Sequence, residues 1–323
     1  MIVVVLALVP ALLFGMYNVG YQHALANGVL ATTSHCCLFL YGFLKVLPMI
    51  VVSYVVGLGI EFIVAQMKGH EINEGFLVSG LIIPMIMPVE APLWMIALST
   101  AFAVVIGKEI FGGTGMNIWN PALLARAFFF FSYPSKMSGD GVWIADKADA
   151  FSGATPLAYA AEGAALPDMT TMFWGLIPGS VGETSTFCIL LGALVLLVTG
   201  VANWRIMLSV FVGGYLMALL LGAVLPATNV YADITPLKHL LLGGFAFGAV
   251  FMATDPVTSS QTGVGKFVYG FLVGFFAITI RVLNPGYPEG MMLAILLMNT
   301  FAPLIDWLVV QRNIKRRLNR KRI

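Results

Sequence analysis

The chain has 323 residues, of which 59% are hydrophobic and only 10% are charged. Soluble domains carry about a quarter charged residues, so this composition excludes an ordinary soluble domain and indicates an integral membrane protein. The net charge is only +2, and we expect no nucleic-acid partner.

A helix needs about 20 predominantly apolar residues to cross the hydrocarbon core of a bilayer. Apolar stretches near this length predict about ten transmembrane helices, of which the third and the fifth are short. In chain order they are residues 1–18, 44–67, 75–90, 91–107, 119–133, 185–203, 205–224, 237–253, 265–282 and 290–310. We therefore expect an all-α membrane protein in which residues 1–323 form a single transmembrane domain.

The charges of the C-terminal tail predict the orientation of the chain. Residues 311–323 contain seven basic residues and no acidic one: Arg312, Lys315, Arg316, Arg317, Arg320, Lys321 and Arg322. By the positive-inside rule this tail is cytoplasmic, and an even number of spans places the N-terminus there too. A lipid-headgroup or nucleic-acid patch is the less favoured alternative. Residues 134–184 then form an external loop.

Two polar segments mark that external loop. Ser152, Gly153, Ala154 and Thr155 follow Asp149, and a threonine in such a place is normally a turn or cap residue. Residues 177–185 are rich in glycine and hydroxyl groups just before a predicted helix. Amides at a helix start can bind an anion such as phosphate, although an N-cap made by Thr184 or Ser185 is the simpler interpretation.

Asn117 and Asn120 lie where a glycine-rich loop enters a helix with Pro121 at its first turn. Each amide offers donors and an acceptor, so the pair could bind the edge of a flat heterocycle. The same side chains could instead cap the helix. The residues alone favour capping.

Glu61 and Asp306 are carboxylates inside predicted spans, where charged groups are costly and often functional. Both are candidates for a cation pathway. The alternative is that each lies near the membrane interface and reaches headgroups or pairs with a nearby base.

The remaining polar residues give no sign of a metal site or of soluble-cofactor catalysis. The cysteines are Cys36, Cys37 and Cys188, and the four histidines are scattered, so a zinc or iron–sulfur site within this chain is not expected. Cys36 and Cys37 could still contribute ligands to a cluster shared with another chain. No phosphate-binding loop, dinucleotide fingerprint or Ser/His/Asp group is present, and we assign no catalytic residue.

The chain also shows signs of an internal duplication. Asn120-Pro121 before an apolar helix has an echo in Asn284-Pro285, about half the chain later. An odd number of helices in each repeat would give two halves of opposite orientation, an arrangement common in transporters. We therefore expect two inverted five-helix repeats, at about residues 1–133 and 185–310.

Several blocks together resemble one family of membrane proteins. The sequence is similar to the NqrB subunit of sodium-translocating NADH:quinone oxidoreductases, and more distantly to the RnfD subunit of Rnf-type ferredoxin:NAD oxidoreductases. The run at residues 288–296 and the tail at 313–317 favour the quinone-reductase subunit. The other blocks that carry the resemblance are residues 14–18, 70–76, 108–123, 152–155, 177–185, 251–257 and 284–285.

The resemblance implies two flavins. In the family, the pattern Asp-x-x-Ser-Gly-Ala-Thr is where a flavin transferase attaches FMN to the threonine through a phosphoester, and residues 149–155 match it without a gap. Thr155 is thus the expected attachment residue. The family also holds a riboflavin near the cytoplasmic side, with Asn117 and Asn120 as the implied contacts. Glu61 and Asp306 are implied in sodium uptake or conduction.

The function implied is electron transfer between covalent FMN and riboflavin towards ubiquinone, coupled to sodium translocation. Expected partners are the other subunits of the complex, ubiquinone, the flavin transferase and the lipid bilayer, and NADH oxidation would belong to another subunit. The expected location is the bacterial inner membrane, with both termini cytoplasmic. The alternatives are an RnfD-type subunit and a non-redox channel or transporter of inverted-repeat design.

This sequence differs from the family pattern at two places. Family members usually begin with a further cytoplasmic segment associated with quinone and inhibitor binding, whereas this sequence starts directly at the first predicted span. The glycine pair expected just before Glu61 also reads Gly57-Leu58-Gly59. Quinone contacts are therefore not assigned to residues of this chain.

Overall fold

The structure is a computed structural model, and it describes residues 1–69, 74–137, 139, 142–148, 151–226, 229–284 and 287–320. Over these ranges the secondary structure is helical, with turns and no strand. This confirms the prediction of an all-α protein. Asp149 lies outside the described residues.

The first half of the chain and the external loop form helices of very different lengths. The first half contains α1 (Ile2–Ala26), α2 (His35–Lys68), α3 (Phe76–Met85), α4 (Leu93–Val104), α5 (Pro121–Ser132) and α6 (Pro134–Met137). A π-helical turn, Val105–Glu109, continues α4. The external loop adds α7 (Pro156–Glu162) and α8 (Met169–Trp174).

The second half contains α9 (Thr186–Val198), α10 (Trp204–Val224), α11 (Pro236–Leu241), α12 (Phe245–Phe247), α13 (Gly263–Leu283) and α14 (Gly290–Arg320). A second π-helical turn, Gly248–Met252, follows α12. The predicted tail at 311–323 thus continues α14 as far as Arg320.

Five helices are long and apolar enough to cross a membrane within the described chain: α1, α2, α10, α13 and α14. Shorter apolar helices are α3, α5 and α9. Each predicted span overlaps a helix, so the multi-pass architecture is confirmed. The span predicted at 237–253 is broken, because Gly243 turns the backbone into the left-handed region at φ +60° between α11 and α12.

Side-chain caps fix several helix starts. Asn120 Oδ1 accepts hydrogen bonds from the amides of Ala122 and Leu123 at 3.0 and 3.3 Å, so the predicted capping role is confirmed. Ser185 Oγ accepts from the Cys188 amide and is the N-cap of α9, one of the two residues proposed from the sequence.

Glycines let the long helices pack closely. In α10 and α13, a β-carbon on Gly274 would lie 2.0 Å from the Val210 carbonyl oxygen, and one on Gly270 would lie 2.6 Å from that of Ile206. From one contact to the next, both helices advance by four residues in the same direction, from Ile206 to Val210 in α10 and from Gly270 to Gly274 in α13. The two helices are therefore parallel. The chain between them must therefore cross back, which assigns this return to the broken segment at 236–252.

Part of the helix packing is alike in the two halves. Helix α2 contacts α4 as α10 contacts α13, and α4 contacts α5 as α13 contacts α14. Across the halves, α1 packs on α9 and α5 on α14. The extensive α1–α2 contact has no counterpart of this size between α9 and α10, so the two inverted repeats stay a prediction.

A segment of the external loop is anchored on α1 and α2. Tyr41 donates a 2.7 Å hydrogen bond to the carboxylate of Asp146, and Lys45 forms an ion pair with it at 2.7 Å. The His23 ring stacks on Tyr41 with centroids 4.0 Å apart, and its Nδ1 lies 2.9 Å from the Ala145 carbonyl oxygen. The hydrogen bonds from Lys45 and then Tyr41 lower the pKa of Asp146.

Substitution of Gly42 by alanine should destabilise the α1–α2 contact. A β-carbon there would lie 1.7 Å from the Met16 carbonyl oxygen, and overpacking of this kind costs about 1–3 kcal/mol. Gly59→Ala, in the same helix, is the matched control because nothing lies within 4 Å of its added carbon. Thermal unfolding in detergent should show a lower midpoint for Gly42→Ala only. Equal midpoints would contradict the packing.

The anchoring of residues 142–148 should depend on pH. A carboxylate whose pKa is lowered by folding stabilises the folded contact above its unfolded pKa, about 3.9 for aspartate. That contribution is lost as the pH falls through the folded pKa, so the exchange protection of the segment, relative to the intrinsic amide exchange rate at each pH, should fall below about pH 4. Asp146→Asn, which keeps a residue tolerant of its left-handed φ of 46°, should raise exchange about two- to fivefold at neutral pH.

The control for this measurement is Glu162→Gln, which removes an exposed carboxylate from the same external loop. Its exchange over residues 142–148 should equal that of the unmodified chain. Faster exchange in the control, or no change with Asp146→Asn, would show that the Asp146 contacts do not anchor the segment.

Candidate functional site

Thr155 is the N-cap of α7, as the sequence suggested for a threonine in this place. Its Oγ1 accepts a 3.2 Å hydrogen bond from the Ala158 amide, and the side chain is half-buried. A cap uses a lone pair of the oxygen and leaves its proton replaceable. Esterification of this hydroxyl is therefore compatible with the helix start.

Residues 152–154 of the motif precede this cap without forming a helix or a turn. Ser152 is exposed, whereas Gly153 and Ala154 are buried. The motif is thus exposed at Ser152, and at its other end it places the half-buried Thr155 against the protein interior.

Thr155 borders a small cavity of about 50 Å³, which we call the outer cavity. This cavity brings the motif together with the glycine-rich segment before α9. Both segments belong to the external loop. Its lining consists of Arg126, Trp143, Thr155, Pro156, Leu157, Ile177, Pro178, Gly179, Ser180, Glu183, Thr184, Gly243 and Glu289.

Arg126 is the buried centre of this region. Its guanidinium pairs with Glu183 at 2.7 Å and with Glu289, so a residue of α5 is joined to one carboxylate of the external loop and one of the second half. Ser180 Oγ donates to Glu183 at 2.5 Å, and the Tyr287 hydroxyl donates to Glu289 at 3.4 Å. A buried charge is stable only when paired and hydrogen-bonded in this way.

This ion-pair group was not predicted from the sequence. Arg126 lies within the predicted span at 119–133, and Glu183 and Glu289 lie within the wider segments 177–185 and 288–296. A signal was present, because Arg126 is a charged residue inside a predicted span and such residues normally require a partner. The identity of that partner depended on contacts between distant parts of the chain.

Two buried donors in the outer cavity have no hydrogen-bond partner among the residues that the structure describes. They are the Thr184 hydroxyl and Arg126 Nε. Unsatisfied buried donors are costly, and a phosphodiester on Thr155 would offer them acceptor oxygens. The cavity volume is that of one or two waters at about 30 Å³ each, so it suits a phosphate group and excludes a three-ring heterocycle. The residues fit the phosphate end of FMN.

A larger cavity of about 290 Å³, the inner cavity, contains both predicted asparagines. Asn117 Nδ2 donates to the Trp119 carbonyl oxygen at 3.2 Å, and Asn120 Nδ2 donates to Asp255 at 3.5 Å. Further lining residues are Met1, Val4, Gly75, Val78, Ser79, Ile82, Lys108, Thr114, Pro121, Leu196, Val201, Ala202, Phe251, Thr254, Pro256 and Val257. Amides, hydroxyls and apolar walls together fit a flat, uncharged heterocycle such as riboflavin.

Glu61 pairs with a base, which is one of the alternatives that the sequence left open. Its buried carboxylate contacts the ammonium of Lys108, which belongs to the π-helical turn after α4 and lines the inner cavity. The next residue, Glu109, lies 3.8 Å from Lys68. Glu61 is therefore one side chain away from the inner cavity.

Asp306 holds the start of α13. Its carboxylate accepts hydrogen bonds from Ser260 Oγ at 2.6 Å, the Gln261 amide at 2.7 Å, and the amide and hydroxyl of Thr262 at 2.9 and 2.6 Å. A carboxylate has about four acceptor positions, so these donors occupy its capacity. The geometry favours an anchoring role, and its part in an ion pathway stays a prediction.

The two cavities flank the same short helix. Asn120 caps α5 at the inner cavity and Arg126 lies six residues later at the outer one. At 1.5 Å per residue these positions are about 9 Å apart along the helix axis.

The chain that forms these two cavities matches a known protein family. The NQR2, RnfD, RnfE family profile matches residues 1–315. The chain belongs to this family. Its membership confirms the resemblance found in the sequence, and its helices show a multi-pass membrane protein.

Curated members of the NQR2, RnfD, RnfE family align over nearly the whole chain. The Na(+)-translocating NADH-quinone reductase subunits of the NqrB type from Chromohalobacter salexigens and Ectopseudomonas mendocina are each 48% identical over 99% of this chain. The alignments cover 83% and 86% of those proteins. The corresponding subunit from Pseudomonas aeruginosa PAO1 is 46% identical over 99% of this chain and 86% of its own length.

Removal of the Arg126 charge should destabilise this family member strongly. Arg126→Gln leaves two buried carboxylates facing each other, and breaking a buried pair costs about 3–5 kcal/mol. Adding Glu289→Gln removes one of those charges and should recover part of the loss. Arg312→Gln, on the exposed end of α14, is the matched control. Thermal unfolding that is equally affected by Arg126→Gln and Arg312→Gln would contradict the assignment.

Proposed function

We propose that this chain is the flavin-carrying NqrB subunit of a sodium-translocating NADH:quinone reductase. In this role it moves electrons between FMN bound covalently to Thr155 and riboflavin held in the inner cavity, towards ubiquinone and coupled to sodium translocation. The observation that carries the proposal is that residues implied for two different flavins fall in two separate cavities, which meet α5 at its start and at Arg126.

At the outer cavity, Thr155 Oγ1 would form the ester while still accepting from the Ala158 amide. Thr184 and Arg126 Nε would donate to the phosphate oxygens, and the pairing of Arg126 with Glu183 would keep the guanidinium fixed. The flavin ring would lie outside this small cavity, towards the external surface. FMN supplies one-electron transfer there, while the protein supplies position and electrostatics.

At the inner cavity, Asn117 and Asn120 would present amide donors to the edge of the riboflavin ring. The cavity volume of about 290 Å³ is close to the lower end of small-molecule sites, which begin at about 300 Å³. Neutralisation of Lys108 by Glu61 leaves this part of the wall without a net charge, which suits an uncharged ligand.

The remaining elements of the proposal rest on the names of the relatives and on the family resemblance. Sodium, NADH and quinone appear in those names. We assign NADH oxidation to another subunit, flavin attachment to a transferase, and the chain to the bacterial inner membrane with both termini cytoplasmic. Glu61, next to the inner cavity, is the better-placed of the two carboxylates for coupling sodium to the flavin.

Two other functions remain as alternatives. The RnfD subunit of an Rnf-type complex belongs to the same family, but the curated relatives at 45–48% identity carry the quinone-reductase name. A non-redox transporter of inverted-repeat design would use the same broken helices without a flavin.

The proposal is tested by replacing the attachment hydroxyl in the complete complex, co-expressed with a flavin transferase. Thr155→Val has nearly the same shape and no hydroxyl, so flavin fluorescence of the denatured protein in a gel should disappear. Mass spectrometry of the unmodified chain should find the added mass of FMN on the peptide containing residues 152–155. Non-covalent flavin extracted by acid should remain, because the inner cavity is unchanged.

Thr171→Val, in α8 of the same external loop, is the control and should keep the covalent fluorescence. Fluorescence that persists in Thr155→Val would show that another residue carries the flavin. A colourless complex in the unmodified protein would overturn the redox function and support the transporter alternative.

A further inference from the structure

An apolar groove of about 420 Å³ lies between the parallel helices α10 and α13, away from both cavities described above. Its lining is Leu208, Ser209, Val212, Phe267, Val268, Phe271 and Leu272. Ser209, the polar residue of this set, donates its hydroxyl to the Ile206 carbonyl oxygen at 3.0 Å. An occupant of the groove would therefore contact an almost entirely hydrocarbon surface.

The groove opens to the outside of the helix bundle. Leu208, Val212 and Val268 are 52%, 42% and 41% exposed, and both helices are long and apolar enough to span a membrane. The close glycine contacts at Gly270 and Gly274 hold the two helices together beneath it. An occupant with a hydrocarbon chain can thus enter from the bilayer without separating α10 from α13.

A cation marks one end of this groove. The Arg205 guanidinium lies 5.9 Å from the ring centroids of both Trp204 and Phe267, and Phe267 is itself part of the groove lining. Among the residues that the structure describes, no carboxylate lies within 4 Å of Arg205. Its charge is therefore held beside an apolar surface without an acidic partner in this part of the chain.

Asp306 is a further charge near this end, and among the described residues it forms no ion pair with Arg205 within 4 Å. It lies beside Gly265, and its carboxylate accepts the four hydrogen bonds from residues 260–262 described above. Lys266 adds a second positive charge next to Phe267 in the sequence. This end of the α10–α13 pair thus holds two cations and one carboxylate that is bound to neighbouring donors.

We propose that the groove between α10 and α13 binds an anionic glycerophospholipid, with an acyl chain along Leu208, Val212 and Phe271 and the phosphate on Arg205. Guanidinium groups bind phosphate oxygens with two parallel hydrogen bonds, and an aromatic surface on either side limits their motion. The positive-inside rule places this end of α10 and α13 at the cytoplasmic leaflet, where anionic lipids attract basic residues. This inference is independent of the flavin chemistry.

The test compares lipids retained by the purified complex. The complex is isolated from a membrane containing phosphatidylglycerol, and bound lipid is measured by mass spectrometry for the unmodified chain, Arg205→Gln and Lys266→Gln. Arg205→Gln should retain about fivefold less phosphatidylglycerol, the effect of one basic residue near an anionic surface. Lys266→Gln removes one positive charge from the start of α13, outside the groove lining, and should reduce retention less than Arg205→Gln does.

A second variant tests the hydrocarbon part of the site. Val212→Trp fills the groove without changing any charge, so it should also displace the lipid, while an unchanged thermal unfolding midpoint in detergent shows that the chain is folded. Equal retention by Arg205→Gln and the unmodified complex would overturn the proposal, as would equal losses in the two charge variants. Loss of a partner protein from the Arg205→Gln complex, with lipid unchanged, would show that the groove is covered by protein instead.

Discussion

The architecture depends on the need to satisfy every backbone polar group inside the membrane. Hydrocarbon offers no hydrogen-bond partner, so a helix can break at membrane depth only where protein covers the break. Helix α3 illustrates this, since Ile82, Ile83 and Met85 are at most 2% exposed. The short helix α5 lines both cavities, with Asn120 and Pro121 at the inner one and Arg126 at the outer one.

The ion pairs of Arg126 join the two halves at this protected centre. A guanidinium has donors on three nitrogens in one plane, so Arg126 can reach Glu183 and Glu289 at the same time. The two carboxylates also converge on Gly244, where a β-carbon would lie 2.3 Å from Glu183 Oε1 and 2.8 Å from Glu289 Oε1. The ion pairs of Arg126 and the missing side chain of Gly244 therefore determine the packing at the same point between the two halves.

Local chemistry made much of the fold predictable from the sequence. Asn120 and Ser185 cap helices because their short polar side chains accept from nearby amides, an interaction confined to a few residues. The break in the span at 237–253 was missed, since its apolar composition hides the left-handed Gly243. Pairing of Glu61 with a base was one of the predicted alternatives, but Lys108 was not identified as that base, because only the packing of α2 against the π-helical turn brings them together.

The π-helical turn at Val105–Glu109 has a consequence for how a buried charge can arise. A π turn contains one residue more than the α-helical turn it replaces, and one residue corresponds to a rotation of about 100°. Deleting a residue within this turn would swing Lys108 away from Glu61 and leave a carboxylate unmatched in the apolar interior. The extra residue of the π turn thus allows the otherwise hydrophobic helix α4 to place the charge of Lys108 in the protein interior. The extra residue and the Glu61 carboxylate are therefore compatible with the fold only together.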